Sequence, residues 1–357
     1  MSVPSHQKAL FLEAKQGQWA VRTTEVRKPG SGDIVVKVEA AALGGVEWKI
    51  QAWGILIKDY PAILGMDGAG TVVELGEGVT TFAVGDRVMF QGNWDILTGT
   101  IYGTFLQYFT APAQFVAKIP DSISFEAAST MPTGVATATL SVYNQADYAL
   151  SAKYFAPWLP GGRGKYAGKP IVILGGPTSH GQYATQFAHL SGFSPIITTA
   201  SLHNADLLKS FGATHVLDRK LPAEEIRARV SEIAGGPVGL VYDTVSVSAT
   251  FPLAVALAAP GSTVLTVQWA PEELVAQAMK DGKAVHMVLG FYNAPVNREI
   301  GATLLASLPE LLESGDIKPN HWEVLAGGLG GIVGGLERMK NDQVSGVKLV
   351  ARPHETV

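Results

Sequence analysis

The chain has 357 residues, a formal net charge of −4 and no cysteine. Because this length exceeds what one hydrophobic core usually supports, we expect two domains. Hydrophobic residues make up 47% of the chain and charged residues 16%, which favours large buried cores over disorder. The absence of a cationic stripe argues against nucleic-acid binding. The absence of cysteine excludes disulfides, thiolate catalysis and cysteine-ligated zinc.

Neither a signal peptide nor a membrane span is expected. Residues 1–8 are polar and lack an apolar core segment. Apolar stretches such as 251–259 are far shorter than the roughly 20 residues that cross a bilayer. We therefore expect a cytoplasmic protein that acts on a small-molecule substrate, with no membrane partner.

The first third of the chain is rich in predicted strands. Residues 33–39 alternate between apolar and polar side chains, and further strand-like runs occupy 70–75 and 85–90 between glycines and prolines. Residues 146–168, rich in Tyr, Pro and Gly, are predicted to form a loop.

Strand-like and helix-like segments then alternate. The predicted strands are 170–174, 195–199, 215–217, 240–243 and 262–267, and the predicted helices are 183–190, 205–211 and 222–233. Apolar strands alternating with helices predict a doubly wound parallel sheet. A helix at 300–314, a glycine-rich segment at 327–335 and a strand at 347–351 follow.

A glycine-rich turn follows the predicted strand 170–174 and precedes a helix. Small residues let the backbone approach a pyrophosphate, and a helix N-terminus favours its negative charge. An ordinary turn between a strand and a helix is the alternative, and the role of His180 stays open. The predicted dinucleotide-binding residues are Gly176, Pro177, Thr178, Ser179, His180 and Gly181.

The residues after the second predicted strand of this sheet indicate which nicotinamide is bound. NAD-binding domains usually place Asp or Glu there to bind the ribose 2′-OH, but residues 198–204 (TTASLHN) contain no carboxylate. Ser201, His203 and Asn204, with Arg219 from the next strand end, instead offer donors to a 2′-phosphate. His203 and Asn204 are alternatively helix N-caps. NADP(H) is therefore the predicted cofactor.

Several spaced motifs together make the chain resemble a medium-chain dehydrogenase/reductase. The motifs are 64–73 (LGMDGAGTVV), 84–88 (VGDRV), 103–108 (GTFLQY), 127–132 (AASTMP), 241–245 (VYDTV) and 345–350 (SGVKLV). The chain is most similar to the zinc-free quinone-oxidoreductase and trans-acting enoyl-reductase branches, especially the fungal ones.

The resemblance implies an α/β protein with two domains. A GroES-like, β-rich catalytic domain is expected over residues 1–135, completed by 305–357. A Rossmann domain with a doubly wound parallel sheet is expected over 136–304. Thr244 and Lys348, which lie in two of the motifs, are further candidates for cofactor binding.

The zinc ligands of metal-dependent relatives are missing. Gly44 stands at the position of their cysteine ligand, Met66 at that of their histidine ligand, and Val46 at that of the Ser or Thr that relays the alcohol proton. The resemblance therefore implies a reaction without metal.

A metal-free reductase must position the hydride acceptor and stabilise the charge that develops on it. Lys49 matches a lysine in the cleft of the enoyl-reductase branch, and Thr137 matches a position that contacts the nicotinamide carboxamide or the substrate. A solvated loop lysine and an ordinary helix threonine are the alternatives. Gly44 departs from the Asn that quinone reductases usually carry. The candidate pocket residues, of which the aromatic ones are alternatively core, are Gly44, Val46, Trp48, Trp53, Met66 and Tyr102.

The predicted function is NADPH-dependent hydride transfer to an activated C=C bond, as in an enone, an enoyl thioester or a quinone. A carbonyl reductase or alcohol dehydrogenase on the same scaffold and a non-catalytic NADPH-binding accessory protein are the alternatives. The resemblance also raises a homodimer and a biosynthetic partner enzyme as candidate assemblies.

Overall fold

A computed structural model of the chain describes residues 3–95 and 98–357. The chain divides into two compact units. Unit 1 comprises the residues up to Thr133 together with Phe291–Val357, and unit 2 comprises Gly134–Gly290. Each unit has its own hydrophobic core.

The first segment of unit 1 is built mainly from strands. The predicted runs at 33–39, 70–75 and 85–90 are confirmed as parts of three of them. The strands are β1 (His6–Leu12), β2 (Trp19–Glu25), β3 (Asp33–Ala42), β4 (Ala62–Ile63), β5 (Asp67–Leu75), β6 (Arg87–Gln91), β7 (Asn93–Asp95), β8 (Thr100–Tyr102), β9 (Tyr108–Pro112) and β10 (Val116–Lys118), and the helices are α1 (Gly45–Trp53) and α2 (Phe125–Ser129).

Strands and helices alternate in unit 2. The strands pair in parallel in the order β13-β12-β11-β14-β15-β16, which is the strand order of a Rossmann fold. The predicted doubly wound sheet is therefore confirmed. The elements are α3 (Pro132–Tyr143, which starts at the end of unit 1), β11 (Ile171–Leu174), α4 (Ser179–Leu190), β12 (Ile196–Ala200), α5 (Ala205–Ser210), β13 (His215–Asp218), α6 (Ala223–Ala234), β14 (Leu240–Asp243), α7 (Thr250–Leu257), β15 (Thr263–Thr266), α8 (Glu272–Lys280) and β16 (Ala284–Met287).

The last part of the chain returns to unit 1. Its elements are α9 (Arg298–Glu313), β17 (His321–Leu325), α10 (Gly331–Lys340) and β18 (Val347–Ala351). The strand β18 pairs antiparallel with β3, where Val350 faces Ala42. The sheet order β10-β6-β5-β3-β18-β17 thus joins both ends of the chain in one sheet.

The structure adds two details to this last part of the chain. Unit 2 ends at Gly290, whereas residue 304 was the expected boundary. That boundary would cut α9, which is continuous and packs against β10 of unit 1. The glycine-rich segment at 327–335 contains the first half of the helix α10. Packing overrides the low helix propensity of glycine there, because a Cβ on Gly335 would lie 2.6 Å from Leu325 Cδ1.

None of the helices formed by the described residues is long and apolar enough to cross a membrane.

Replacing Gly176 with Ala should destabilise unit 2. The new Cβ would lie 2.2 Å from Thr198 Oγ1, whose hydroxyl is held by the Ile173 carbonyl at 2.8 Å. Overpacking of this kind costs about 1–3 kcal/mol. The control is Gly236→Ala, since nothing lies within 4 Å of a Cβ there. Denaturant unfolding measures the free energy of unfolding of both variants. Equal values for Gly176→Ala and Gly236→Ala would contradict the assigned contact.

Candidate active site

The glycine-rich turn of unit 2 joins a buried strand to a helix. The strand β11 ends at Leu174, and α4 begins at Ser179, four residues before the predicted start at residue 183. Thr178 is the N-cap residue, and its Oγ1 accepts a hydrogen bond of 3.0 Å from the Gly181 N–H. A helix that starts in such a turn directs its first N–H groups and its positive dipole end outward, as a pyrophosphate requires.

The close packing of the turn requires glycine at two positions. A Cβ on Gly181 would lie 2.4 Å from the Gly175 carbonyl oxygen. A Cβ on Gly176 would collide with Thr198 Oγ1. The turn can therefore close only with glycine at these two buried positions, as the tight turn of a dinucleotide-binding site requires.

Thr244 supports this turn from the neighbouring strand end. Thr178 Oγ1 donates to Thr244 Oγ1 at 2.9 Å, and Thr244 Oγ1 donates to the Leu174 carbonyl at 2.7 Å. Thr244 therefore helps to shape the turn, and its predicted contact with the cofactor stays a prediction.

The structure brings Ser201 and Arg219 together, although 17 residues separate them in the sequence. They follow the paired parallel strands β12 and β13, and Arg219 Nε donates to Ser201 Oγ at 2.9 Å. The Arg219 side chain is exposed, as is His203, whereas Asn204 is buried. Asn204 Nδ2 lies 3.1 Å from His203 Nε2. Its side chain does not cap α5.

In unit 1, a buried glutamate holds the start of α1. Gly44 is the N-cap residue, and its N–H donates to Glu47 Oε2 at 2.9 Å. The Met66 N–H donates to Glu47 Oε1 at 3.1 Å. Glu47 is 0% exposed, and this burial raises its pKa to about 7. The sequence reasoning missed Glu47; its only signal was a Glu at the third position of a helix, as in a capping box.

Lys49 lies on the same helix, beside the indole rings of Trp48 and Trp53, whose centroids are 5.5 Å apart. Its Nζ is 5.7 Å from the centroid of Trp48 and 5.6 Å from that of Trp53, within the range of cation–π attraction. Partial burial lowers the pKa of Lys49. Within residues 3–95 and 98–357, no carboxylate forms an ion pair with this ammonium.

The remaining pocket candidates differ in exposure. Trp53 is 48% exposed, and Val46 is partly buried against the core of unit 1. The Met66 side chain is buried. The Met66 residue contacts Glu47 through a hydrogen bond from its backbone N–H. Tyr102 stacks on Phe109 with 5.2 Å between ring centroids, which favours its alternative interpretation as core.

Lys348 lies elsewhere in unit 1, in a buried ion pair. Its Nζ is 2.5 Å from Asp67 Oδ2 and 3.3 Å from the Thr130 carbonyl. Asp67 Oδ1 accepts a hydrogen bond of 2.6 Å from the Thr133 N–H. Lys348 is 6% exposed and Asp67 1%. This geometry gives Lys348 a structural role, and its predicted contact with the cofactor stays a prediction.

Thr137 lies in α3 of unit 2. Its carbonyl accepts a hydrogen bond of 2.5 Å from Tyr242 OH. A Cβ on Gly290 would lie 2.4 Å from Thr137 Oγ1, so this hydroxyl packs directly against the Gly290 backbone. Gly290 is a second residue that the sequence reasoning missed.

The part of the chain that the structure describes contains no group of three or more His, Cys, Asp or Glu side chains arranged to hold a metal ion. Gly44 and Met66, at the positions of the zinc ligands, carry no side chain that commonly binds zinc.

Two family models match the chain. Residues 30–121 match the alcohol dehydrogenase GroES-like domain, and residues 181–295 match the zinc-binding dehydrogenase family. The trans-enoyl reductase ACTTS2 of Alternaria alternata is 32% identical over 345 residues, which covers 94% of this chain and 96% of that protein.

Solved structures share the whole fold. A quinone oxidoreductase from Coxiella burnetii aligns with a TM-score of 0.74 at 21% identity, covering 97% of this chain and 99% of its own. A putative zinc-dependent alcohol dehydrogenase from Rhizobium etli aligns with a TM-score of 0.80 at 20% identity, covering 98% of each chain.

Replacing Lys348 with Met should destabilise the protein strongly. The change leaves the Asp67 carboxylate buried without its cation, and breaking a buried ion pair in this way costs about 3–5 kcal/mol. Lys340→Met is the matched control, because Lys340 pairs with Glu337 at an exposed site. Thermal unfolding compares the two variants. A Lys348→Met protein as stable as the control would show that the pair contributes little.

Proposed function

This chain belongs to the medium-chain dehydrogenase/reductase family, and we propose that it is a zinc-independent, NADPH-dependent reductase of activated C=C bonds. Enones and enoyl thioesters are the substrates that we favour. The observation that carries the proposal is the Lys49 ammonium, which is partly buried beside two indoles with no carboxylate partner among the described residues. The similarity to a trans-enoyl reductase supports the same reaction class.

The turn at 175–181 would hold the pyrophosphate, and Ser201 with Arg219 would hold a 2′-phosphate. An arginine suits this role because its planar guanidinium donates two parallel hydrogen bonds to phosphate oxygens. One of its donors already binds Ser201, which fixes the direction of the others. When bound, the nicotinamide supplies a hydride.

Lys49 would stabilise the negative charge that develops on the substrate carbonyl oxygen. Reduction of an enone or enoyl thioester places a hydride on the β-carbon and moves an electron pair onto that oxygen. An ammonium in a partly dehydrated site stabilises this charge more than one in water. The indoles of Trp48 and Trp53 limit hydration of Lys49, and Thr137 would orient the nicotinamide carboxamide or the substrate. The α-carbon of the resulting enolate then takes a proton from solvent water.

NADPH should bind at least tenfold more tightly than NADH, a difference of about 1.4 kcal/mol. Ser201→Asp should reverse the preference, since a carboxylate repels the 2′-phosphate and accepts from a ribose 2′-OH. Ser210→Asp, on the exposed side of α5, is the control and should leave both affinities unchanged. Fluorescence titration measures them. Equal affinities in the unaltered protein would contradict the predicted 2′-phosphate site.

Lys49→Ala should lower kcat and kcat/KM together by about a hundredfold, because the contact forms only in the transition state. The NADPH affinity should stay unchanged. Lys58→Ala, at an exposed lysine of the same unit, is the control. Steady-state kinetics with a panel of enones and aldehydes measures the effect. An increase in KM alone would make Lys49 an anchor for an anionic part of the substrate.

Purified protein should contain no stoichiometric zinc, and chelators should leave turnover intact, because Gly44 and Met66 replace the ligands of zinc-dependent relatives. Elemental analysis combined with assays after chelation measures both. Zinc that is bound and required for turnover would overturn this part of the proposal.

A further inference from the structure

Glu47 connects two chain segments that both belong to the predicted substrate pocket. Its Oε2 accepts from the Gly44 N–H at 2.9 Å, at the start of α1. Its Oε1 accepts from the Met66 N–H at 3.1 Å, just before β5. Because each carboxylate oxygen accepts one backbone N–H, both bonds form fully only when the group is ionised.

Gly44 admits this carboxylate because it has no side chain. A Cβ at position 44 would lie 2.9 Å from Glu47 Oε2, closer than real Cβ contacts allow. The two residues therefore depend on each other, because the carboxylate of Glu47 fills the space that a side chain at position 44 would need.

The charge of Glu47 is not balanced by a partner of its own. The charged groups that act on it are Asp67 on β5 and Lys348 on β18. Lys348 is already paired with Asp67 at 2.5 Å, so these two groups together are neutral. Burial of Glu47 raises its pKa to about 7, and Asp67 raises it while Lys348 and the backbone donors lower it. The site therefore changes its protonation near neutral pH.

We propose that Glu47 is a positioning residue, whose carboxylate clamps Gly44 to Met66 and so fixes the start of the helix that carries Lys49, and that protonation opens this clamp. A neutral carboxyl group keeps one good acceptor oxygen and turns the other into a hydroxyl that faces an N–H donor. One of the two backbone bonds is then lost. This inference rests on the proposed function and adds a pH dependence to it.

Lys49 follows Glu47 by two residues, within the first turn and a half of α1. A shift of the helix start therefore moves the Lys49 ammonium and the Trp48 ring with it. Enzymes lose rate steeply when a catalytic group is displaced by about 1 Å. The expected consequence is a lower kcat at acid pH with an unchanged affinity for NADPH.

The test compares the unaltered protein with Glu47→Gln from pH 6 to pH 8. Glutamine has the size of the acid but cannot ionise, so it represents the protonated state. In the unaltered protein, kcat with an enone should rise by up to about tenfold over this range, following the ionised fraction of one group. In Glu47→Gln it should be nearly constant and should lie at or below the value of the unaltered protein at pH 6. Glu299→Gln, in the exposed first turn of α9, should keep the full pH dependence.

Hydrogen–deuterium exchange gives a readout that needs no turnover. After correction for the intrinsic effect of pH, the amides of residues 44–48 and 66 should be better protected at pH 8 than at pH 6. Gly44→Ala should lose this difference, because its Cβ displaces the carboxylate while Glu47 remains present. This variant also serves if Glu47→Gln fails to fold.

Three outcomes are distinguishable. A pH-dependent protection that disappears in Gly44→Ala supports the clamp, even if no enone is reduced and the proposed function fails. Turnover with the same pH profile in Glu47→Gln as in the unaltered protein overturns the positioning role. Protection of residues 44–48 and 66 that is equal at both pH values overturns the clamp itself.

Discussion

The ion pair between Asp67 and Lys348 is the contact on which the architecture of unit 1 depends. It joins β5, in the first fifth of the chain, to β18, at its end, at a site where both side chains are buried. Burying two charges is costly unless their remaining hydrogen-bonding groups are satisfied. The Thr133 N–H and the Thr130 carbonyl provide these partners. Losing either charged side chain leaves the other charge buried and unpaired.

A chain of hydrogen bonds connects this ion pair to the start of α1. Met66 precedes Asp67 directly, and its N–H binds Glu47, which in turn holds Gly44 and the first turn of α1. Trp48 and Lys49 follow on the same helix, which ends at Trp53. A charge network in the core thus sets the place of the ammonium that we propose for catalysis.

In unit 2, uncharged groups hold the glycine-rich turn in place. Its turn must bring backbone N–H groups close to an anion, so it combines glycines with hydroxyl groups that satisfy the remaining backbone atoms. Thr178 caps α4, and Thr244 links this cap to the Leu174 carbonyl. Such a network keeps the turn rigid without adding negative charge that would repel a phosphate.

Local patterns in the sequence determined the strands of unit 2 and the glycine-rich turn, because each depends on residues close together in the chain. Ser201 and Arg219 were also predictable, since parallel strands end at the same edge of a sheet. Only the tertiary structure decided the roles of Glu47, Thr244 and Lys348. Their partners lie 19, 70 and 281 residues away, and no periodicity specifies which buried polar group meets which. Burial, not residue type, made Lys348 structural and gave Glu47 its raised pKa.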